Sequence, residues 1–287
     1  MRPPRRRTLI LALALPAALA AGAAAAVGIA AARTEATITA HADAVRAAAM
    51  PAPSPVPDAA AIAALPDPVR AYLRFAFPEP PRPLRTVTLA MEGEFRRPRT
   101  EGFAPTTAEQ TIAVGTPALL FAATTPVGPG LWARAYDVFA DGDMEMKAKI
   151  LSAVTVMEER ANNELNRISL RRWLLESPLY PAALLPGGPV RWEAVDDRRA
   201  RAVVSAGGRE ASLIATFRPD GSLERFDAEA DGDLGTPYHG SGEHVTRTDY
   251  RLVDGMMIPM GFMIARAAGG TLYPFWRGRV TEIAFAP

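Results

Sequence analysis

The sequence predicts an α+β fold: a large, curved, mostly antiparallel β-sheet packed on one or two helices and preceded by an N-terminal transmembrane helix. Three observations carry this reading. Four arginines in "MRPPRRR" precede residues 8–32, which contain no charge at all. From about residue 86 the chain alternates apolar and polar residues with period two in many short runs, several joined by Asp-Gly. Only two later stretches, "LPDPVRAYLRFAF" and "NNELNRISLRRWLLE", abandon that alternation for helical spacing.

Residues 8–32 as a helix would span roughly 37 Å, enough for a hydrocarbon core of about 30 Å. Arginines ahead of such a segment stay on the cytoplasmic side, so everything after Arg33 is expected outside the cytoplasm. Two readings stand side by side. One is a retained, single-pass signal anchor in the cell membrane. The other is a cleaved signal peptide, with an Ala-x-Ala site near Ala24–Ala26, that releases a secreted domain. Residues 1–32 therefore form the anchor or signal peptide. Residues 33–57 form an Ala- and Pro-rich linker that is weakly helical to residue 50 and stiff and extended through "PAPSPVP", and residues 58–287 form the folded domain.

Within that domain, Pro68 suits the first turn of a helix, with Asp67 as its cap and Val69, Tyr72, Leu73 and Ala76 on one face. Strands are expected at about 86–95 and 108–114, and at 118–124 and 132–140. The next fall near 143–150 and 152–158. A helix follows over 163–176, stopped before Pro178, with a short helical turn at 182–185. Seven more strands are expected near 189–195, 200–206, 210–218, 222–230, 243–253, 257–266 and 277–285. Asp141-Gly142, Asp220-Gly221 and Asp254-Gly255 mark turns between neighbours.

Composition excludes several functions. The net charge of +1 gives no reason to expect a nucleic-acid partner. The absence of cysteine removes disulfides, thiolate metal sites, thiol nucleophiles and a lipidated N-terminal cysteine. The cluster Met256, Met257, Met260 and Met263 first suggests a soft-metal site. Strand alternation, however, sends Met256, Ile258, Met260, Phe262 and Ile264 to one face, and Met257 and Met263 to the other. Pro259 in that run implies a bulge or an edge. "YHGSGEH" places His239, Ser241, Glu243 and His244 together, but in turn-rich sequence without the elbow of a serine hydrolase. No residue is assigned to catalysis, to a metal or to a cofactor. The candidate ligand wall combines few, placed aromatics with flexible methionines: Trp132, Tyr136, Met144, Met146, Trp173, Met256, Met260 and Phe262.

"LPDPVRAYL", "DGDMEMKAKIL", "ELNRISLRRWLLESPLYPAALLP", "VRWEAVDD", "YRLVDGMMIP" and "YPFWRGRVTEI", in this order, resemble a family of uncharacterised bacterial proteins, many of them membrane-anchored. The architecture is similar to that of the LolA/LolB-like lipoprotein carriers. That resemblance implies an incomplete antiparallel barrel, plugged by helices, with an apolar cavity for acyl chains. The function expected from it is an anchored extracytoplasmic module that binds a lipid, an acyl chain or another apolar ligand. The alternatives are an envelope interaction or sensor domain with a filled core and, last, an enzyme of unrecognised type.

Overall fold

The computed structural model describes residues 6–96, 100–232, 234 and 242–287, with side chains from residue 17 onward. Helix α1 (Arg6–Ala49) opens the chain, followed by the short α2 (Ala59–Ala63) and by α3 (Asp67–Ala76). Six strands follow: β1 (Thr86–Arg96), β2 (Phe103–Ala113), β3 (Ala118–Gly128), β4 (Leu131–Ala140), β5 (Asp143–Ile150) and β6 (Val154–Arg160). Helix α4 (Asn163–Glu176) and two single-turn 3-10 helices (Ser177–Leu179, Pro181–Leu184) interrupt the strands. The chain then completes β7 (Val190–Ala194), β8 (Arg199–Ala206), β9 (Arg209–Phe217), β10 (Leu223–Asp227), β11 (Glu243–Val253), β12 (Met256–Ala268) and β13 (Thr271–Ala286).

These strands form one thirteen-stranded antiparallel sheet ordered β6-β5-β4-β3-β2-β1-β13-β12-β11-β10-β9-β8-β7. Each half is a meander of hairpins, and β1 and β13 join the halves at the centre. The chain crosses from one free edge, β6, to the other, β7, through α4, so the sheet curls around that helix without closing. At Asp141-Gly142 and Asp254-Gly255 both residues have positive φ, the twist that two-residue hairpins demand. Gly93 faces Gly278 across the central seam, where a Cβ on Gly93 would lie 2.2 Å from the Arg277 carbonyl oxygen. Only glycine permits the two backbones to come this close.

Eleven of the fourteen residues of α4 are buried, Arg171 and Arg172 included. Asn162 caps its first turn by accepting from Leu165 N at 2.9 Å. Trp173 is fully buried, donates to the Ala113 carbonyl at 2.8 Å and stacks on Tyr180. α3 buries Val69, Tyr72, Leu73 and Ala76 as its spacing predicts, but it begins one residue early. Asp67 therefore sits inside the first turn, where it pairs with Arg70 instead of capping.

In β12, Met256, Ile258, Met260, Phe262 and Ile264 are all buried and face the core, as alternation requires. β13 pairs with β12 only from Gly261 onward, so Pro259 lies where β12 is bonded on the β11 side alone. A residue without an N–H costs no ladder bond there.

α1 covers the outer face of the other half. Ile38, Ala42, Val45 and Ala49 pack with Ala113, Leu120, Ala122, Tyr136 and Val138 of β2 to β4. Residues 33–49, inside the stretch assigned to the linker, thus continue α1 and lie on the sheet. The following "PAPSPVP" is pinned through Ser54, which donates its N–H to Leu84 O at 2.7 Å and accepts Leu84 N at 2.9 Å. Among the described residues, α1 is the one helix long and apolar enough to cross a membrane.

Arg247, fully buried on β11, donates to the Glu176 carboxylate at 2.9 Å and to Leu175 O at 3.0 Å, tying the end of α4 to the sheet. Removing one partner of a buried pair strands the other charge. Glu176→Ala is expected to destabilise the fold by about 3–5 kcal/mol. Urea unfolding followed by circular dichroism would read this as a lower midpoint.

Candidate apolar ligand site

α4 packs mainly against β8 and β9 and touches β3, β4 and β5 only lightly. The inner face of the first half is therefore incompletely filled. An apolar cavity of about 210 Å³ lies there, between β1 to β6 and the flank of α4. A cavity of about 150 Å³ holds a benzene molecule, so this one has room for an aromatic ring or a short run of alkyl chain.

The space has a simple origin in register. Ala123 pairs with Ala135, and Ala135 with Ala148, so three alanines from three adjacent strands stand side by side on the inner face. Ala133, one step along β4, extends this floor. Phe95, Phe121, Met157 and Trp276 form the surrounding walls. The aromatic side is braced from behind, since Phe262 stacks on Trp276 at 5.3 Å and Trp276 meets Phe95 edge-on at 6.4 Å.

One end of the cavity is polar and closed. Asp137 and Arg172, both buried, form an ion pair, and the Arg172 guanidinium lies over the Phe121 ring at 4.8 Å. The other end is formed by Val127, Ile150 and Val156, and Val156 is exposed. The site is thus a tapering apolar slot with a charged inner end, the form of a pocket for an amphiphile or hydrocarbon.

The eight residues singled out from the sequence are placed as follows. Met146 lines the cavity. Tyr136 borders it, but its ring lies on the opposite face of β4, against His41 at 5.2 Å, with its hydroxyl donating to Glu145 at 2.6 Å. Trp132 shares that outer face and donates to Ser152 Oγ at 3.2 Å. Met144 is packed in the core beside α4, Trp173 is buried on α4 itself, and Phe262 stands behind the cavity wall. Met260 is core, and Met256 borders a separate small cleft with Phe77 and Arg82. The structure does not bring the β12 methionines to the cavity.

The cavity floor of alanines was missed because alanine is everywhere in this sequence. The signal available was their parity, with Ala133 and Ala135 alternating against Arg134 and Tyr136, and Ala148 against Lys147 and Lys149. Small residues at inward positions of adjacent strands leave room that large ones would fill.

No group of three or more acids and histidines among the described residues is arranged to hold a metal. His239 and Ser241 lie outside the described residues. His244 Nδ1 instead meets Asp227 at 2.7 Å across the β10–β11 ladder.

A thirteen-stranded, unclosed antiparallel sheet plugged by a helix, with an apolar slot in one half, defines the class of protein: a β-curl with an internal hydrophobic site. The chain belongs to a family of unknown function, DUF6920, whose model matches residues 63–285. Two crystal structures are similar to it. One is a LolA superfamily protein from Nitrosomonas europaea, with 8% identity, 77% of this chain and 92% of that chain covered, and a TM-score of 0.40. The other is a beta-barrel-like protein of a domain of unknown function, DUF1849, from Brucella abortus, with 11% identity, 71% and 99% covered, and a TM-score of 0.25. No curated protein matches the chain.

Behind the polar end, Glu243 is buried on β11, and its Oε2 has no hydrogen-bond partner among the described residues. Burial pushes its carboxyl up to about 7, against the pull of Arg171, Arg172 and Arg266 and with a small push from Asp137. An acid whose folded pKa lies above its unfolded value binds its proton more tightly when folded. Stability therefore falls as pH rises from about 4.5 to about 7, and is level above that. Glu243→Gln is expected to remove this slope, leaving stability unchanged near pH 4 and raising it by on the order of 3 kcal/mol above pH 7. Denaturant midpoints of both proteins across that pH range provide the measurement. Parallel curves would show that Glu243 does not change its protonation on unfolding.

Proposed function

We propose that the protein is a membrane-anchored, extracytoplasmic module that binds the apolar part of a lipid or related amphiphile in the slot between β1 to β6 and α4. The supporting observation is the cavity itself, a space walled almost entirely by carbon, floored by cross-paired alanines, closed at one end by a buried ion pair and open at the other. An interior shaped only for stability packs such space with side chains, because voids cost stability. Each methylene withdrawn from water into the slot would contribute about 0.8 kcal/mol. The length and composition of α1, with arginines before its uncharged stretch, support the anchor and the outward orientation of the domain. Met146 remains a candidate ligand-binding residue at the cavity; Tyr136, whose ring faces α1, together with Trp132, Met144, Trp173, Met256, Met260 and Phe262, would shape its surroundings.

Purification of the full chain from membranes, followed by native mass spectrometry and lipid extraction, tests this reading. The wild type is expected to carry a lipid or to take one up from vesicles. Ala148→Leu should reduce occupancy and Ala135→Phe should abolish it, both with an unchanged far-ultraviolet spectrum. A wild type that is empty and stays empty across a lipid panel would sink the proposal in favour of an interaction domain with an unused void.

A further inference from the structure

The cavity lies at a defined height relative to the apolar helix. Thr34, immediately after the uncharged segment and Arg33, donates to Ser152 O in the β5–β6 turn at 2.8 Å and accepts Lys149 Nζ at 3.0 Å. Glu35 takes a two-pronged pair from Arg134 of β4, both contacts 2.9 Å. Further along, His41 stands against Tyr136 and Glu145. From Lys149 to Glu145 the strand advances about 13 Å, and from Thr34 to His41 the helix advances about 10 Å, so the helix climbs along the strands from the β5–β6 turn as it crosses the sheet toward β2. The ends of β3, β4 and β5 nearest Thr34 are therefore the ends nearest the uncharged segment.

The β3–β4 end extends past Thr34. Leu131 lies three residues beyond Arg134, about 10 Å, which on the helix corresponds to some seven residues and reaches the level of Gly28. The helix gives the same answer independently. Val27, Ala30 and Ala31 are half-buried and continue the stripe of Thr34, Ile38, Ala42 and Val45, whereas Gly28 and Ile29 are exposed. The domain thus flanks the upper part of the uncharged segment. What it presents there is apolar: Leu131 at the β3–β4 turn is 44% exposed and stands beside Val127 of the cavity's open end, while Val154 and Val156 of edge strand β6, 63% and 59% exposed, lie higher, level with the stretch from Ala133 to Ala135. Val156 is also a wall of the cavity's open end.

We propose that this rim inserts into the extracytoplasmic leaflet of the bilayer that α1 crosses, so that the slot opens into lipid rather than water. An acyl chain would then slide in sideways from the leaflet, without exposure of its methylenes to solvent. The occupant of the rim is the phospholipid leaflet, because a continuous helix holds the β3–β4 turn at Leu131 below the level of Arg33, about 9 Å down near Val27. That depth matches the roughly 5–10 Å to which interfacial apolar faces sink. Trp132, its ring nitrogen bonded to Ser152 beside the rim, has the amphipathic character that gathers at membrane interfaces. The inference rests on the anchored reading proposed above.

The chain has no cysteine, so single-cysteine variants can be labelled cleanly. Full-length L131C, V154C and V156C, each carrying an environment-sensitive fluorophore, would be reconstituted in phosphatidylcholine–phosphatidylglycerol vesicles containing doxyl-labelled lipid. Gly22→Cys, a position open on the helix surface, reports the span, and Val56→Cys, exposed beyond the far end of α1, reports the solvent side. The expected result is doxyl quenching at residue 131 of at least half the extent seen at residue 22, weaker quenching at the higher residues 154 and 156, and none at residue 56. Quenching at residue 22 with none at the rim would overturn the rim proposal and leave the anchor standing. No quenching at residue 22 would overturn the anchor and, with it, this inference. Blue-shifted rim emission without quenching would place the rim against protein, a second copy included, and would equally overturn it.

Discussion

An antiparallel sheet of thirteen strands that does not close has to bury its inner face on something, and here that is α4. The helix carries the chain from one edge of the sheet to the other, so topology alone places it inside the curl. It brings two adjacent arginines and a glutamate with it, and each buried charge has to be answered from the surrounding strands. Arg247 answers Glu176 from β11, and Asp137 answers Arg172 from β4, one from each half of the sheet. Ion pairs of this kind contribute little net stability but strongly disfavour alternatives that would separate them. They set the angle at which the two halves grip the helix.

That grip is unequal. α4 leans on β8 and β9, and α3 adds to the filling of the same half through β12. The first half receives less from within and is covered from outside by α1. The cavity therefore lies where inner packing is thinnest, beneath the strands that α1 stiffens from behind. Glu243, buried without a partner for one oxygen near three arginines, belongs to the same inner layer and leaves its charge balance sensitive to pH.

Much of this was legible in the sequence, because its signals are local. Period-two alternation and Asp-Gly turns located the strands, and the stop before Pro178 marked the end of α4. The buried stripe of β12 followed from parity alone. What the sequence concealed depended on partners far along the chain. Pairing of Ala123, Ala135 and Ala148 becomes a cavity floor only once register is known, and in an alanine-rich chain no single one of them draws notice. The prominent methionines of β12 attracted the functional reading, yet β12 sits beyond the seam, where α3 and the 3-10 turn after α4 already fill the interior. The outward turn of Tyr136 likewise reflects a helix, α1, whose docking stripe is written mostly in alanine.

Helix α1 runs through from its uncharged segment to Ala49 without a hinge, and its last turns are cemented to the sheet by apolar packing and by the Arg134–Glu35 pair. On the anchored reading proposed above, a protein built this way has no tether. A head on a flexible stalk searches the volume its stalk allows, whereas a head rigidly continuous with its span can only spin and drift in two dimensions. Its encounters would then be governed by lateral diffusion, and its orientation toward the bilayer would be set once, at folding. Cargo would have to travel to it, and onward transfer would require a recipient able to dock against a stationary doorway.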